Sequence, residues 1–231
     1  MKDMVPLLRR CSLFENITPE QIKSLLEKTA CRAGSFKENE VIFSPLHSAD
    51  KIGIILSGTV DVQKSFPTGK IVLVQRKGAA EIIGESSIFS RLSYYPDTVI
   101  ASKPSEILFI SKGDLLTLFS MDRNFMSNFL ESTSNYSLIL THKIGILSLT
   151  SIQAKIAGFL IHYRNHRSGS TDECTSITLP FSKKDWAEYM NVSRTSLSRE
   201  LRKLEEERVI SFEKRTIKVM NWPRLEEILS N

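Results

Sequence analysis

The chain has 231 residues, 41% hydrophobic and 25% charged, with a formal net charge of +5. This length supports one large or two small domains with real cores, and the +5 balance permits nucleic-acid binding without demanding it. No apolar run is long enough to cross a bilayer and Met1-Lys2-Asp3-Met4-Val5-Pro6 is no signal peptide, so a cytoplasmic protein with no membrane partner is expected.

Thr18-Pro19-Glu20 opens a helix, with an N-cap hydroxyl, a proline in the first turn and then an acid, and the helix is predicted to run to about Thr29. From Ala30 to Ile110 the pattern changes to short apolar or alternating runs: Val41–Phe43, Ile52–Leu56, Thr59–Gln63, Ile71–Val74, Val99–Ala101 and Ile107–Ile110. Ser57-Gly58, Pro67-Thr68-Gly69, Lys77-Gly78 and Lys103-Pro104 punctuate them as turns. Such spacing predicts an antiparallel barrel or jelly roll. The helical period returns after Asp114, with a short helix over Leu115–Ser120 and a long one from about Arg123 to Leu147. In the long helix Met126, Thr133, Leu140 and Leu147 recur every seven residues, and Phe129, Tyr136 and Lys143 form a second, imperfect row. A two-row seam predicts a coiled-coil homodimer through Met126, Phe129, Tyr136, Leu140 and Leu147, with packing on the chain's own barrel as the alternative. Ser151 reads as an N-cap, Ile152–His166 as the next helix, and Arg167 to Thr171 as a loop.

The C-terminal third carries the most specific pattern. Ser182-Lys183-Lys184-Asp185 looks like a capping box that opens a short helix ending near Met190. Asn191 tolerates the left-handed conformation of a tight turn. Ser193 then caps a second helix in which Leu197, Leu201 and Leu204 form an apolar stripe, while Arg194, Thr195, Ser198, Arg199 and Arg202 occupy another arc. Ser193–Leu204 holds four basic residues and one acid. Guanidinium groups match guanine O6/N7 or phosphate in bidentate fashion, and short hydroxyls allow close approach. Two expected strands, Val209–Phe212 and Thr216–Met220, flank the basic tip Glu213-Lys214-Arg215. Helix, turn, helix and basic hairpin in that order predict a winged helix-turn-helix on duplex DNA. The candidate DNA contacts are Lys183, Ser193, Arg194, Thr195, Ser196, Ser198, Arg199, Arg202, Lys214 and Arg215, with Arg199 on a guanine and Arg194 on a phosphate.

Other chemistry is weakly supported. Cys11, Cys31 and Cys174 are far apart and form no C-x-x-C, so reduced thiols are expected, with a redox pairing of Cys11 or Cys31 with Cys174 as the alternative. His47, His142, His162 and His166 share no metal-ligand spacing. His162 and His166 fall four apart on an expected helix without an evident third ligand, so surface histidines and no metal site are expected. No nucleophile–base constellation or phosphate loop is visible, and the chain is not expected to be an enzyme.

Over nearly its full length the chain resembles the CRP/FNR transcription regulators. The resemblance rests on Leu56-Ser57-Gly58-Thr59-Val60, on Gly84-Glu85 after a strand, on the long linking helix, and on Val192-Ser193-Arg194-Thr195-Ser196-Leu197-Ser198-Arg199. It implies an α+β fold of three parts: an N-terminal antiparallel β-roll sensing an effector (1–122), a dimerisation helix and hinge (123–150) and a C-terminal winged helix-turn-helix (151–231). It also implies RNA polymerase as a partner. Members that bind cyclic nucleotides carry an Arg-Ser pair shortly after Gly-Glu to hold the cyclic phosphate, and Tyr95-Pro96 stands there instead. Without that guanidinium a buried phosphate lacks its charge partner, so cyclic AMP is disfavoured and Arg91 could substitute only after a loop rearrangement. The N-terminal cysteine cluster of the oxygen-sensing branch is also absent. Ser198-Arg199 matches the reading pair of the FNR branch, while Thr195 replaces the family's common glutamate and offers a methyl to thymine.

The expected effector pocket is Gly84, Glu85, Ser86, Ile88, Phe89, Arg91, Tyr94 and Tyr95, an apolar and aromatic lining suited to a weakly polar ligand; no cofactor is evident and the effector is unidentified. The leading expectation is a dimeric, sequence-specific regulator on a palindromic operator, switched at the hinge Ser148-Leu149-Thr150-Ser151. A signalling module acting through protein contacts and a constitutive DNA binder with a filled pocket are the alternatives.

Overall fold

The computed structural model describes residues 4–167, 176–179 and 182–230, which divide into two compact units at Leu140/Thr141. The first unit opens with α1 (Val5–Leu8), a 3-10 turn at Ser12–Phe14 and α2 (Pro19–Glu27). α2 begins where the sequence places it because Thr18 Oγ1 accepts from the Gln21 N–H at 3.3 Å while Gln21 Oε1 accepts from the Thr18 N–H at 2.8 Å. Its apolar stripe, Ile22, Leu25 and Leu26, is buried.

Six strands make one antiparallel sheet: β1 (Arg32–Phe36), β2 (Val41–Phe43), β3 (Lys51–Ser65), β4 (Ile71–Gly78), β5 (Ile82–Ile83) and β6 (Thr98–Ser111). The path is β1-β6-β3-β4, with β2 on β6 and β5 on β3. Three expected turns are instead strand. Ser57-Gly58 and Lys103-Pro104 lie inside β3 and β6, facing each other where the ladder is bulged: Ser57 pairs with Glu106 and Thr59 with Lys103. Gly58 holds φ +89°, and a Cβ there would stand 2.2 Å from Ser105 Oγ and 2.3 Å from the Pro104 carbonyl oxygen. The glycine marks a close strand crossing, and Pro104 falls between paired positions, where its missing N–H costs no ladder bond. Lys77 and Gly78 pair with Val60 and Thr59 at the end of β4. Strands β1 and β5 are too short and too polar or isolated to stand out by alternation.

α3 (Lys112–Met121) starts three residues before the expected Leu115, because Ser111 Oγ accepts from the Asp114 N–H at 3.0 Å. α4 (Arg123–Ser148) runs 26 residues, and its first turns contribute Phe125 and Phe129 to the core built by α1, α2 and one face of the sheet. A second cluster, including Phe43, Ile55, Val60 and Tyr95, fills the other face.

The second unit holds the last turns of α4, then α5 (Ile152–Arg167), β7 (Ser176–Thr178), α6 (Lys183–Tyr189), α7 (Arg194–Glu206), β8 (Ile210–Glu213), β9 (Thr216–Val219) and α8 (Trp222–Ser230). Ser151 caps α5 by accepting from the Ala154 N–H at 3.0 Å. Arg167 closes α5 rather than opening the expected loop, and residues 168–171 of that loop lie outside the described ones. The small sheet is ordered β7-β9-β8, so the expected hairpin gains a third strand. Its core centres on Trp186, Met190, Leu197, Leu201, Leu204, Ile217 and Leu225. Each leucine buried here contributes about 1.5–3 kcal/mol.

Candidate DNA interface and effector cavity

The helix-turn-helix is set by three local devices. Ser182 Oγ accepts from the Asp185 N–H at 3.3 Å and Asp185 Oδ2 from the Ser182 N–H at 3.2 Å, which closes the capping box of α6. Asn191 turns the chain with φ +55°. Ser193 Oγ accepts from the Ser196 N–H at 3.0 Å and starts α7. Ala187, at 2% exposure, lets α6 sit close to the Leu197, Leu201 and Leu204 stripe. Thr195, Ser198, Arg199 and Arg202 then fall within an arc of roughly 100° turned away from those leucines. Arg194, Thr195, Arg199 and Arg202 are exposed, and Ser196 and Ser198 are half-buried.

The other candidate contacts divide. Lys214 and Arg215 are exposed at the tip between β8 and β9, and Lys214 adopts φ +52° to make the turn. Lys183 is half-buried with its Nζ 3.8 Å from the centre of the Phe212 ring, so it packs α6 against the wing. Ser193 spends its hydroxyl on the cap and on Ser196 Oγ at 2.8 Å.

A residue the sequence reading missed lies beside this face, at the edge of the leucine stripe of α7. Glu200 is 9% exposed and accepts from Gln153 Nε2 at 3.1 Å, Lys203 Nζ at 3.2 Å and Arg199 Nε at 3.3 Å. Burial raises its pKa, but the hydrogen bonds from Lys203 and Arg199 outweigh that and hold the carboxyl below its ordinary range. The available signal was a lone acid at the edge of the leucine stripe.

The expected effector pocket is only partly assembled. Gly84, Glu85, Ser86 and Tyr95 line a cavity of about 20 Å³ together with Lys77, Pro96, Asp97 and Tyr136. That volume holds about one water. Ile88 is core, Phe89 faces a different groove, and Arg91 and Tyr94 are exposed and line neither. Tyr95 is buried, its ring stacked 4.1 Å from Phe43 and its hydroxyl donating to the Lys51 carbonyl at 2.6 Å. Burial pushes its phenol up to about 12. The expected apolar lining is also corrected. Lys77 Nζ and Glu85 Oε1 form a buried pair at 2.6 Å with side chains 6% and 4% exposed, and Lys77 Nζ also donates to the Ile82 carbonyl. Sequence reading took Lys77 as part of a turn, because its outward neighbours hid the inward register.

The α4 seam needs the same correction. Phe129 (3% exposed) and Tyr136 (8%) turn into the chain's own β-domain, as the packing alternative held. Leu140 and Leu147 are half-buried, while Met126, Leu130, Leu138, Ile139 and Ile144 are exposed. A groove of about 790 Å³ runs between Phe89, Leu116 and Phe119 on one side and Met126, Leu130 and Leu140 on the other.

The histidines depart from expectation as well. His142 and His162 are half-buried and stack with ring centres 3.2 Å apart; His47 is exposed, and the side chain of His166 lies outside the described residues. Cys11 is buried, which pushes its thiol up to about 12, and Cys31 is raised by burial. Both are free thiols, and Cys174 lies outside the described residues. Among the described residues no helix is long and apolar enough to cross a membrane.

A β-roll followed by a winged helix-turn-helix defines a class, the DNA-binding transcription regulators. Residues 34–122 match the cyclic nucleotide-binding domain family and residues 154–228 match the Crp-like helix-turn-helix domain family. With both domains in this order the chain belongs to the CRP/FNR family. It is 22% identical to the CRP-like cAMP-activated global transcriptional regulator of Mycobacterium tuberculosis, over 96% of this chain and 98% of that one. It is 21% identical to the anaerobic regulatory protein of Bacillus subtilis, over 86% and 83%. Its fold is that of a CooA variant from Carboxydothermus hydrogenoformans, with a TM-score of 0.69 at 15% identity over 93% and 92% of the two chains.

Proposed function

We propose that the protein acts as a two-fold homodimer that reads a palindromic operator in the cytoplasm and contacts RNA polymerase there. The observation that carries this is α7, with three leucines at 0–1% exposure and Arg194, Arg199 and Arg202 left in solvent. Arg199 reads a guanine, Thr195 a thymine methyl, and Lys214 and Arg215 hold phosphates. The exposed apolar stripe and groove of α4 supply the dimer face, and two half-sites then lie about one helical turn apart. A mobility shift on duplex DNA tests this: binding should fall steeply with salt and depend on sequence. Sequence-independent binding, or a stable monomer in sedimentation at micromolar concentration, would sink the reading.

Cyclic AMP is not the effector in this reading. By the resemblance, Tyr95 takes the place of the arginine that holds the cyclic phosphate in nucleotide-binding members; its ring is stacked on Phe43, and the cavity beside it is far below the several hundred Å³ a nucleotide needs. The same observation favours a second reading, in which the β-roll pocket is filled and DNA binding is constitutive. Calorimetric titration with cyclic AMP separates them from the family's nucleotide-gated mode; micromolar binding would overturn both.

A further inference from the structure

We infer that the first unit carries a second, open site for a small organic cation, on the far side of the Lys77–Glu85 pair from the filled cavity. A cleft of about 270 Å³ lies there, walled by the N-terminal segment, by β4 and β5, and by α4. Four observations give its chemistry. Gln75 lines the cleft, and its Oε1 is buried in the wall without a hydrogen-bond partner among the described residues, an acceptor that a donor entering the cleft would satisfy. Asn128 spends its amide N–H groups on the Leu13 and Glu15 carbonyls at 3.1 and 2.8 Å, which pins the N-terminal wall to α4. Glu81 Oε2 accepts from the Gly78 N–H and braces the turn before β5. Lys77 and Glu85 neutralise each other. Of the charged groups that remain in the lining, Arg10 faces Glu15, Glu81 and Glu131, an excess of two negative charges.

Acceptors and negative charge in a cleft of that size suit an aliphatic amine or guanidine with several N–H donors, and repel cyclic nucleotides and other phosphates. The contributing face of α4, including Asn128, Glu131 and Asn135, lies on a different arc of the helix from Met126, Leu130 and Leu140. Of the exposed apolar residues of α4 only Ile139 lines this cleft, so a dimer seam centred on Met126, Leu130 and Leu140 runs along the other arc.

The β-strand context explains the orphaned oxygen. Val62 pairs with Gln75 but Gln63 with Leu73, so β4 carries one extra residue immediately before Gln75. The bulge re-aims the side chain that follows it.

The test uses the full chain without DNA, so its failure leaves the DNA-binding reading untouched. Calorimetry and thermal melting are run with 1,4-diaminobutane, agmatine and, as the anionic control, cyclic AMP. Saturable binding of one of the two amines, with a raised Tm, is expected, and cyclic AMP should give neither. Glu131→Gln, an exposed position that leaves folding intact, should weaken the amine roughly tenfold by removing one charge-assisted contact. Gln75→Leu should abolish binding while the unliganded melting temperature holds or rises, since it removes an unsatisfied buried acceptor. No saturation by either amine at millimolar concentration, or binding indifferent to both substitutions, would overturn the site.

Discussion

Two carboxylates, one in each unit, hold cationic partners and live in different solvents: Glu85 pairs with Lys77, and Glu200 accepts from Lys203, Arg199 and the Gln153 amide. Glu85 and its partner Lys77 are almost wholly dry, at 4% and 6% side-chain exposure. Glu200 is nearly as covered at 12%, but Arg199 and Lys203 beside it are 67% and 51% exposed. Water screens the second set and not the first. The first is a fixed structural knot under the β-roll; the second ties α7 to α5 through Gln153 while its cations stay available to an outside anion. The largest expected effect breaks the dry knot. Lys77→Met leaves an unpaired buried carboxylate and should cost about 3–5 kcal/mol in urea unfolding, whereas Lys77→Met with Glu85→Leu should recover most of it. A single substitution that costs under about 1 kcal/mol would show that water reaches the pair after all.

A third charge sharpens the contrast from the dry side. Lys143 on α4 is 3% exposed, its Nζ 4.2 Å from the centre of the Tyr189 ring, and burial pulls its pKa down to about 8. Between about 8 and the ordinary 10.5 the unfolded chain holds a proton that the folded chain has released. Stability should therefore rise with pH through that window, by ~3 kcal/mol at most, and stay flat in this respect below it. Lys143→Met should remove the slope and raise the melting temperature at pH 7. An unchanged slope in the variant would mean that other groups produce it.

What was legible in the sequence follows the same division. The second unit announces itself because caps, turn residue and leucine spacing are local: Ser182, Asn191, Ser193 and the stripe behave in the fold as their residue types demand. The β-roll was legible as a class but not in its joints. Gly58 and Pro104 look like turns until their strands are known to cross at a bulge, which is a long-range fact. Lys77 and Gln75 are invisible for the same reason, since only the register of β3 and β4 turns them inward. Phe129 and Tyr136 satisfied a heptad pattern equally well as dimer seam or as core, and periodicity cannot say which surface a stripe meets. Tyr95-Pro96 was legible as a departure from the family's Arg-Ser pair, but the stacking of Tyr95 on Phe43 depended on a strand about fifty residues away.

On the wet side, the reading face itself gives the next effect. Arg199→Ala should weaken operator binding by roughly 1–3 kcal/mol and relax preference at one position, while Lys214→Ala should weaken all sequences about equally and reduce the salt slope by about one. Competition binding with single-base operator variants separates the two. If Arg199→Ala kept the full preference, α7 would not be reading bases through that side chain.

The smallest expected effect is at Glu200, and it isolates what screening does. Glu200→Gln keeps the amide–carboxamide link to Gln153 possible but removes the charge between Arg199 and Lys203. Because those cations are largely in water, the stability change near neutral pH should be no more than about 1 kcal/mol. The folded carboxyl titrates below the ordinary 4.5, so its contribution is present above that value and is lost as the pH falls through the folded pKa. The variant should therefore lose less stability than the parent on acidification below about 4.5, and match it more closely at the lowest pH. On DNA, removing one negative charge beside two exposed cations should raise affinity for all sequences by less than about tenfold at low salt, with the gain vanishing as salt rises. Retained operator preference would assign Glu200 to holding α7 on α5. A sharp loss of preference would instead make it the group that aims Arg199, because only an aiming role couples this carboxylate to the base that is read.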